Sequence, residues 1–147
     1  MSEPSDGPED GPPDDPRHVV QRFVDAVNAG DDRALLDLLH PDFVDRTPNP
    51  MQGTDRDSFV DDKIHSLRRS FSNLRLRVDD TLVDGDRVAC LWTLTGTNDG
   101  PFADQEPTEI KVEFRGMNLD RIQDGAIVEH WSIHDALSLF HQLGRLG

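Results

Sequence analysis

IKVEFRGMNLDRIQDGAIVEHWSIHDALSLFHQL, residues 110–143, decides the fold of this chain. It reads as two long strands joined by a tight Gln123-Asp124-Gly125 turn, running directly into a short amphipathic helix. Side chains of a strand point alternately to its two faces. In the first strand, Thr108 to Ile122, the set Ile110, Val112, Phe114, Gly116, Asn118, Asp120 and Ile122 lies on one face. Glu109, Lys111, Glu113, Arg115, Met117, Leu119 and Arg121 lie on the other. The first set is apolar at one end and therefore faces the interior, which makes Asn118 and Asp120 inward polar groups. The second strand, Ala126 to Ile133, divides into Ile127, Glu129, Trp131, Ile133 and Val128, His130, Ser132, His134. Alternation alone leaves its orientation open, because Trp131 and Ile133 belong to the more apolar set. An outer face covered by a second copy of the chain would reconcile the two. Asp135 caps the closing helix, with Leu137, Phe140 and Leu143 inward and Gly144 at its end.

Working back toward the N-terminus, two more strands precede this unit. Leu74, Leu76 and Val78 alternate with Arg75, Arg77 and Asp79 in a half-buried strand that continues to about Val83. Asp84-Gly85-Asp86 is a hairpin turn. Arg87 to Thr97 follows, apolar nearly throughout, which predicts cover on both faces. Before the strands the period is helical. Asp15-Pro16 is an N-cap followed by proline, and Val19, Val20, Phe23, Val24 and Val27 form a stripe ending at Gly30. A shorter helix from about Asp32 carries Ala34, Leu35, Leu38 and Leu39 and stops at His40-Pro41. DFVDRTPNPMQG then reads as a loop bearing Asp42, Asp45 and Asn49. Thr54 with Asp57 resembles a capping box for a third helix with Phe59, Val60, Ile64, Leu67 and Phe71 on one face. Three helices, about four long antiparallel strands and a final helix make an α+β fold, the curved sheet wrapping the helices and leaving a partly filled concavity.

Composition narrows the function. The 147 residues include 29 acidic and 15 basic side chains, for a net charge of −14, with Asp outnumbering Glu 23 to 6. Phosphate backbones require a basic surface, so nucleic acid is not the expected partner. A single cysteine, Cys90, excludes an internal disulfide framework, and its setting in VACLWTL reads as a buried, inert thiol. Residues 1–16 hold five prolines, six acids and no base, the composition of a disordered acidic tail, and leave 17–147 as one domain. No apolar run is long enough to span a membrane and the N-terminus is not signal-like, so a soluble, cytoplasmic protein is expected.

The residues HPDFVD, GTNDG, EPTEIKVEF, DRIQDGAIVEHW and DALSLFHQLG together resemble the SnoaL-like polyketide cyclase family, within the broader nuclear transport factor 2-like fold. The resemblance covers the chain from about Val19 to Gly144. It implies a cone-shaped α+β barrel that forms a homodimer and binds a hydrophobic small molecule without metal or cofactor. The family's polyketide cyclases use an Asp near the end of the last strand for proton transfer in an aldol closure, and that position is Ser132 here. The family's pocket His falls on Asn118, an Asn after the His-Pro-Asp turn falls on Asp45, and a His in its Gly-Thr-His element falls on Asn98. If Ser132 occupies an inward site, then Val128, His130 and His134 share its face.

Two readings stand for each candidate. Asp120, desolvated toward an apolar pocket, is the leading acid or base, or else half of an ion pair with a neighbouring Arg. His130 relays a proton or orients Asp120, or is a satisfied core histidine. Asp45, Asn98, Asn118, Ser132, His134 and Trp92 are the expected substrate-binding residues. Asp45 alternatively caps a turn, His134 belongs to the strand-to-helix turn, and Trp92 is core or interface. No histidine pair has metal-ligand spacing, since His130 and His134 stand about 13 Å apart along a strand. The expected function is a cofactor-independent cyclase-, isomerase- or hydrolase-type enzyme using general acid–base catalysis. The competing reading is a non-catalytic ligand-binding or dimerisation module in which Ser132 replaces the catalytic Asp.

The acidic surface carries its own hypothesis, a halophilic source with a salt-rich cytoplasm, because salt screens repulsion among the carboxylates. The thermal unfolding midpoint is then expected to rise steeply from low to molar potassium chloride. A flat response would exclude it.

Overall fold

The structure is a computed structural model that describes residues 15–145; the expected acidic tail, up to Asp14, lies outside these residues. The element order is α1 (Pro16–Ala29), α2 (Asp32–Asp37), β1 (Leu39–Asp45), α3 (Arg56–Val60), a π-helical segment (Asp61–Ser66), α4 (Leu67–Ser70), β2 (Ser72–Asp84), β3 (Arg87–Thr97), β4 (Lys111–Gln123), β5 (Ala126–His134) and α5 (Ala136–Gln142). The strands form one curved sheet in the order β1-β5-β4-β3-β2, and the helices pack on its concave side. The α+β expectation holds.

The helices begin and end where side chains satisfy their terminal groups. Asp15 accepts a hydrogen bond from the Arg17 amide, Pro16 sits in the first turn, and Gly30 closes α1 at φ +68°. Val19, Val20, Phe23, Val24 and Val27 are all buried beneath it. The third helical stretch runs continuously from Arg56 to Ser70 but widens to π geometry in the middle. Its start differs from the expected capping box. Asp55, not Thr54, is the N-cap residue, and it makes no side-chain cap bond.

The sheet has five strands, not four. Leu39–Asp45, expected as a helix end and loop, is an edge strand running parallel to β5, with Asp45 beside His130. A register break between Leu39 and Val44, around the exposed Pro41 and Asp42, hides the period-two signal. Proline is tolerated there because an edge strand leaves one row of amides unpaired. At the opposite edge, the Asn28 side chain of α1 donates to the Leu76 carbonyl (2.9 Å) and accepts from the Leu76 amide (2.7 Å), covering part of β2.

The inward set of β4 is buried as alternation predicts from Val112 onward (Val112, Phe114, Gly116, Asn118, Asp120 and Ile122), but Ile110, expected inward, precedes the strand and is 38% exposed. On β5 a bulge between the Arg121–Glu129 and Ile122–Ile127 pairs shifts the pattern. Ile127 therefore joins the core cluster where Val128 was expected, while His130, Ser132 and His134 share the inner face with their cross-strand partners Asp120, Asn118 and Gly116. The expected double cover of β3 is only partial among the described residues: Thr93 on its outer side is buried, but Ala89, Leu91, Thr95 and Thr97 are half-buried. In α5, Leu139 and Leu143 are buried and Leu137 is 69% exposed, because the helix turns one residue away from the expected phase. Phe140 stacks on Phe102 at 5.8 Å.

One close approach organises the centre of the sheet. Gly116 faces Trp92 across β3–β4, and a Cβ at that position would drive into the indole. Gly116→Ala is therefore expected to destabilise the fold by about 1–3 kcal/mol through overpacking, measured by urea unfolding. A loss no larger than ~0.5 kcal/mol, typical of an unconstrained surface site, would show that the indole moves aside freely.

Candidate functional site

The registers of β1, β5, β4 and β3 place Asp45, His130, Asp120 and Val88 in one row on the inner face. Ser132, Asn118 and Cys90 form the next row, and His134, Gly116 and Trp92 the one after. Polar groups from four strands distant in sequence thus converge on the concave side.

His130 and Asp120 form the core of this cluster. His130 is 2% exposed, and its Nδ1 lies 2.5 Å from Asp120 Oδ1. In the neutral tautomer that donates Nδ1–H to the Asp120 carboxylate, the imidazole lone pair resides on Nε2. Among the described residues Nε2 is buried without a hydrogen-bond partner. The Phe59 ring closes over the imidazole in an edge arrangement at 4.8 Å, backed by Phe43 at 4.9 Å. Leaving such a nitrogen unpaired costs on the order of 1–3 kcal/mol, which marks it as a place where a ligand or water would bind favourably.

Asp120 does not form the ion pair considered above. Its chain neighbour Arg121 points to the outer face and donates to Glu129 (2.7 Å), as does Arg46 (2.6 Å). Those two arginines hold the Glu129 carboxyl below its ordinary range, Arg121 contributing most. On the inner face, burial pushes the Cys90 thiol up to about 12, and the Asp120 charge adds to this. The thiol stays protonated at neutral pH, so it is not a nucleophile.

The second row is only partly committed. Trp92 Nε1 donates to Asn118 Oδ1 at 2.9 Å, which orients the amide and leaves its NH2 without a protein acceptor among the described residues. The Ser132 amide donates to Thr47 Oγ1 at 2.8 Å, and its hydroxyl has no described partner. His134 packs on Phe114 at 5.8 Å. Its pKa is lowered, first by partial burial and then by the Lys63 charge, which favours the neutral ring.

Two expected residues are occupied by structural work. Asp45 ends a strand and is no mobile loop residue; it is 2% exposed and accepts from the Thr47 amide (3.0 Å) and Gln52 Nε2 (2.9 Å). It therefore folds the 46–54 loop back against β1. Asn98 makes four hydrogen bonds, to the Ser70 and Gly100 carbonyls and from the Thr108 amide and hydroxyl. It pairs with residues 109 and 110, ten residues along the sheet from Asp120, roughly 33 Å of strand. The structure does not bring Asn98 into the site.

Phe59, Asp62 and Lys63 are inner-face neighbours that strand alternation could not reveal. They come from the α3–π segment, and Asn49 of the loop ties to Asp62 at 2.9 Å. The available signal was Lys63 itself, one of only two lysines in a chain with thirteen arginines. Among the described residues no three His, Cys, Asp or Glu side chains converge as a metal site. A groove of about 390 Å³ lies apart from the dyad, between α1 and β2–β3, lined by residues including Asn28, Arg75, Arg77 and Thr93.

A family model described as SnoaL-like polyketide cyclase matches residues 17–143. Among solved structures, TsrD from Streptomyces laurentii is 29% identical, with a TM-score of 0.79 over 88% of this chain and 95% of its own. AclR, a candidate hydroxylase from Streptomyces galilaeus, is 27% identical with a TM-score of 0.77, covering 88% and 84%. IdmH, a candidate polyketide cyclase from Streptomyces antibioticus, is 29% identical with a TM-score of 0.75, covering 86% and 96%. A search of curated protein sequences returned no significant match.

Proposed function

The chain belongs to the SnoaL-like polyketide cyclase family, and from that premise we propose a cofactor-independent enzyme that moves a proton on a hydrophobic carbonyl compound. The observation that carries the reading is the buried His130–Asp120 pair, free of arginine, with Nε2 unpartnered. In this reading Nε2 takes the proton from carbon next to the carbonyl and returns it. Asp120 holds the ring and offsets the charge of the imidazolium. The Asn118 amide and Ser132 hydroxyl, two residues and roughly 7 Å along the strands, donate to the developing oxyanion. Hydrogen-bond reach at each end plus the carbon–oxygen separation of an enolisable ketone fills that span. Phe59, Phe43 and Trp92 supply an apolar surround. The strand position where the family's cyclases keep an Asp holds Ser132, so the base here sits one row deeper.

The second reading is a non-catalytic ligand-binding module. One observation favours it: Phe59 closes over His130, and the 390 Å³ groove lies elsewhere. Deuterium uptake by α-tetralone in D2O distinguishes the two. Wild-type protein is expected to accelerate exchange, and Asp120→Asn and His130→Gln to lose about 100-fold or more of that acceleration, with circular dichroism verifying that each variant is folded. A wild type that binds the ketone without accelerating exchange selects the module.

We propose separately that the protein acts in the cytoplasm and as a homodimer. Among the described residues no helix is long and apolar enough to cross a membrane. On the outer face, Leu82, Ala89, Leu119 and Trp131 align across four strands, with Leu91, Met117 and Ile133 in the adjacent row. Leu82, Met117 and Ile133 are 71%, 53% and 76% exposed, an apolar band that water leaves unstable. Sedimentation is expected to give twice the 16.5 kDa chain mass, falling to one chain in a Met117→Asp, Ile133→Asp double variant. A wild-type monomer at micromolar concentration would overturn the dimer.

A further inference from the structure

We propose that Lys63 sets the substrate class: it binds an anionic oxygen at the mouth of the concavity, so the ligand is a hydrophobic carbonyl compound with an acidic end, a carboxylate or a stabilised enolate. The inference rests on the small-molecule reading above and goes beyond it by naming a recognition element and its chemistry.

The geometry of Lys63 departs from that of a solvent-facing lysine. It belongs to the π-helical segment Asp61–Ser66, and its side chain is 21% exposed. Widened turns of this kind occur mostly as single insertions inside helices, often at functional sites. The ammonium lies 5.3 Å over the Phe59 ring, the same ring that closes over His130. Lys63, Phe59, His130 and Asp120 thus form one continuous stack from the mouth to the buried carboxylate. Asp62 Oδ2 takes one Lys63 donor at 3.0 Å, and the same oxygen accepts from Asn49 at 2.9 Å. The carboxylate anchoring Lys63 is itself anchored, which fixes the ammonium in place at low entropic cost.

An ammonium has three N–H donors, and among the described residues only Asp62 accepts from this one. Two donors remain, partly desolvated and backed by an aromatic face. On the strand side the Lys63 charge reaches His134, and partial burial and that charge together favour the neutral form of its ring. A neutral imidazole can donate or accept at the same mouth without repelling an anion. The arrangement offers a held cation over the aromatic ring that covers His130, with the His134 imidazole within reach of its charge. An anionic oxygen satisfies the two unspent donors, and the apolar remainder of the ligand displaces Phe59 to reach His130.

Isothermal titration of the full chain with 2-naphthoate and with its neutral near-isostere 2-acetonaphthone tests this. Wild type is expected to bind the carboxylate at least about tenfold more tightly, Lys63→Met to lose that preference, and Lys63→Arg to retain most of it. Equal affinities in wild type, or a preference that persists in Lys63→Met, would overturn the role of Lys63 while leaving the pocket standing. Binding of neither compound to wild type would overturn the small-molecule reading and this proposal together.

Discussion

The hydrogen bond between His130 Nδ1 and Asp120 Oδ1 is the constraint from which the interior is built. A carboxylate and an imidazole are both costly to bury, and removing one partner of such a pair typically costs about 3–5 kcal/mol. The pair exists only in one register of β5 on β4. A slip of one residue would carry His130 to the outer face and Trp131 inward, leaving Asp120 buried without a partner. The register also needs the bulge between the Arg121–Glu129 and Ile122–Ile127 pairs, which lets Ile127 fill the core at the wide end while His130 still meets Asp120. Sheet geometry and site chemistry are therefore one requirement.

The neighbouring rows extend that requirement. Gly116 has no side chain, so the Trp92 indole can lie across β4 and donate to Asn118. Asn118 in turn pairs with Ser132 across the strands. From above, the π-helical widening continues the helix while holding Phe59 over His130 and Lys63 over Phe59. The loop after β1 is pinned from three sides, by Asp45 to Gln52, Thr47 to Ser132 and Asn49 to Asp62. A ligand reaching the imidazole would have to displace Phe59, whose ring packs against it.

The two faces of the sheet solve different problems. The inner face hides a few polar groups among aromatic side chains, where low dielectric strengthens each interaction. The outer face has no helical layer among the described residues and carries an apolar band bordered by Arg121, Glu129 and Arg46. This explains why Trp131 and Ile133 made the orientation of β5 ambiguous. Their hydrophobicity belongs to an exposed surface, and the polar residues on the opposite side belong to the interior.

Much of this was legible in the residues. Period two assigned Asn118 and Asp120 to the inner face of β4, the Asp124-Gly125 turn joined it to β5, and Asp15-Pro16 and Gly30 bounded α1, because each signal is local in the chain. The fifth strand was not legible, since a bulge around Pro41 and Asp42 erases alternation and its pairing partner lies about ninety residues away. Nor was the sorting of the candidates, because Asp45 and Asn98 look like free polar groups until their loop partners are placed. The sequence by itself determined the α+β class, the inward line of polar residues and the family resemblance, all carried by periodicity and short motifs. Only the tertiary structure decided that Asp120 meets His130 and no arginine, that Asn98 spends all its bonds on backbone and Thr108, and that Phe59 and Lys63 cover the pair. Those contacts join β5, β4 and a helix far away along the chain, and no local pattern encodes which distant side chains will share a face.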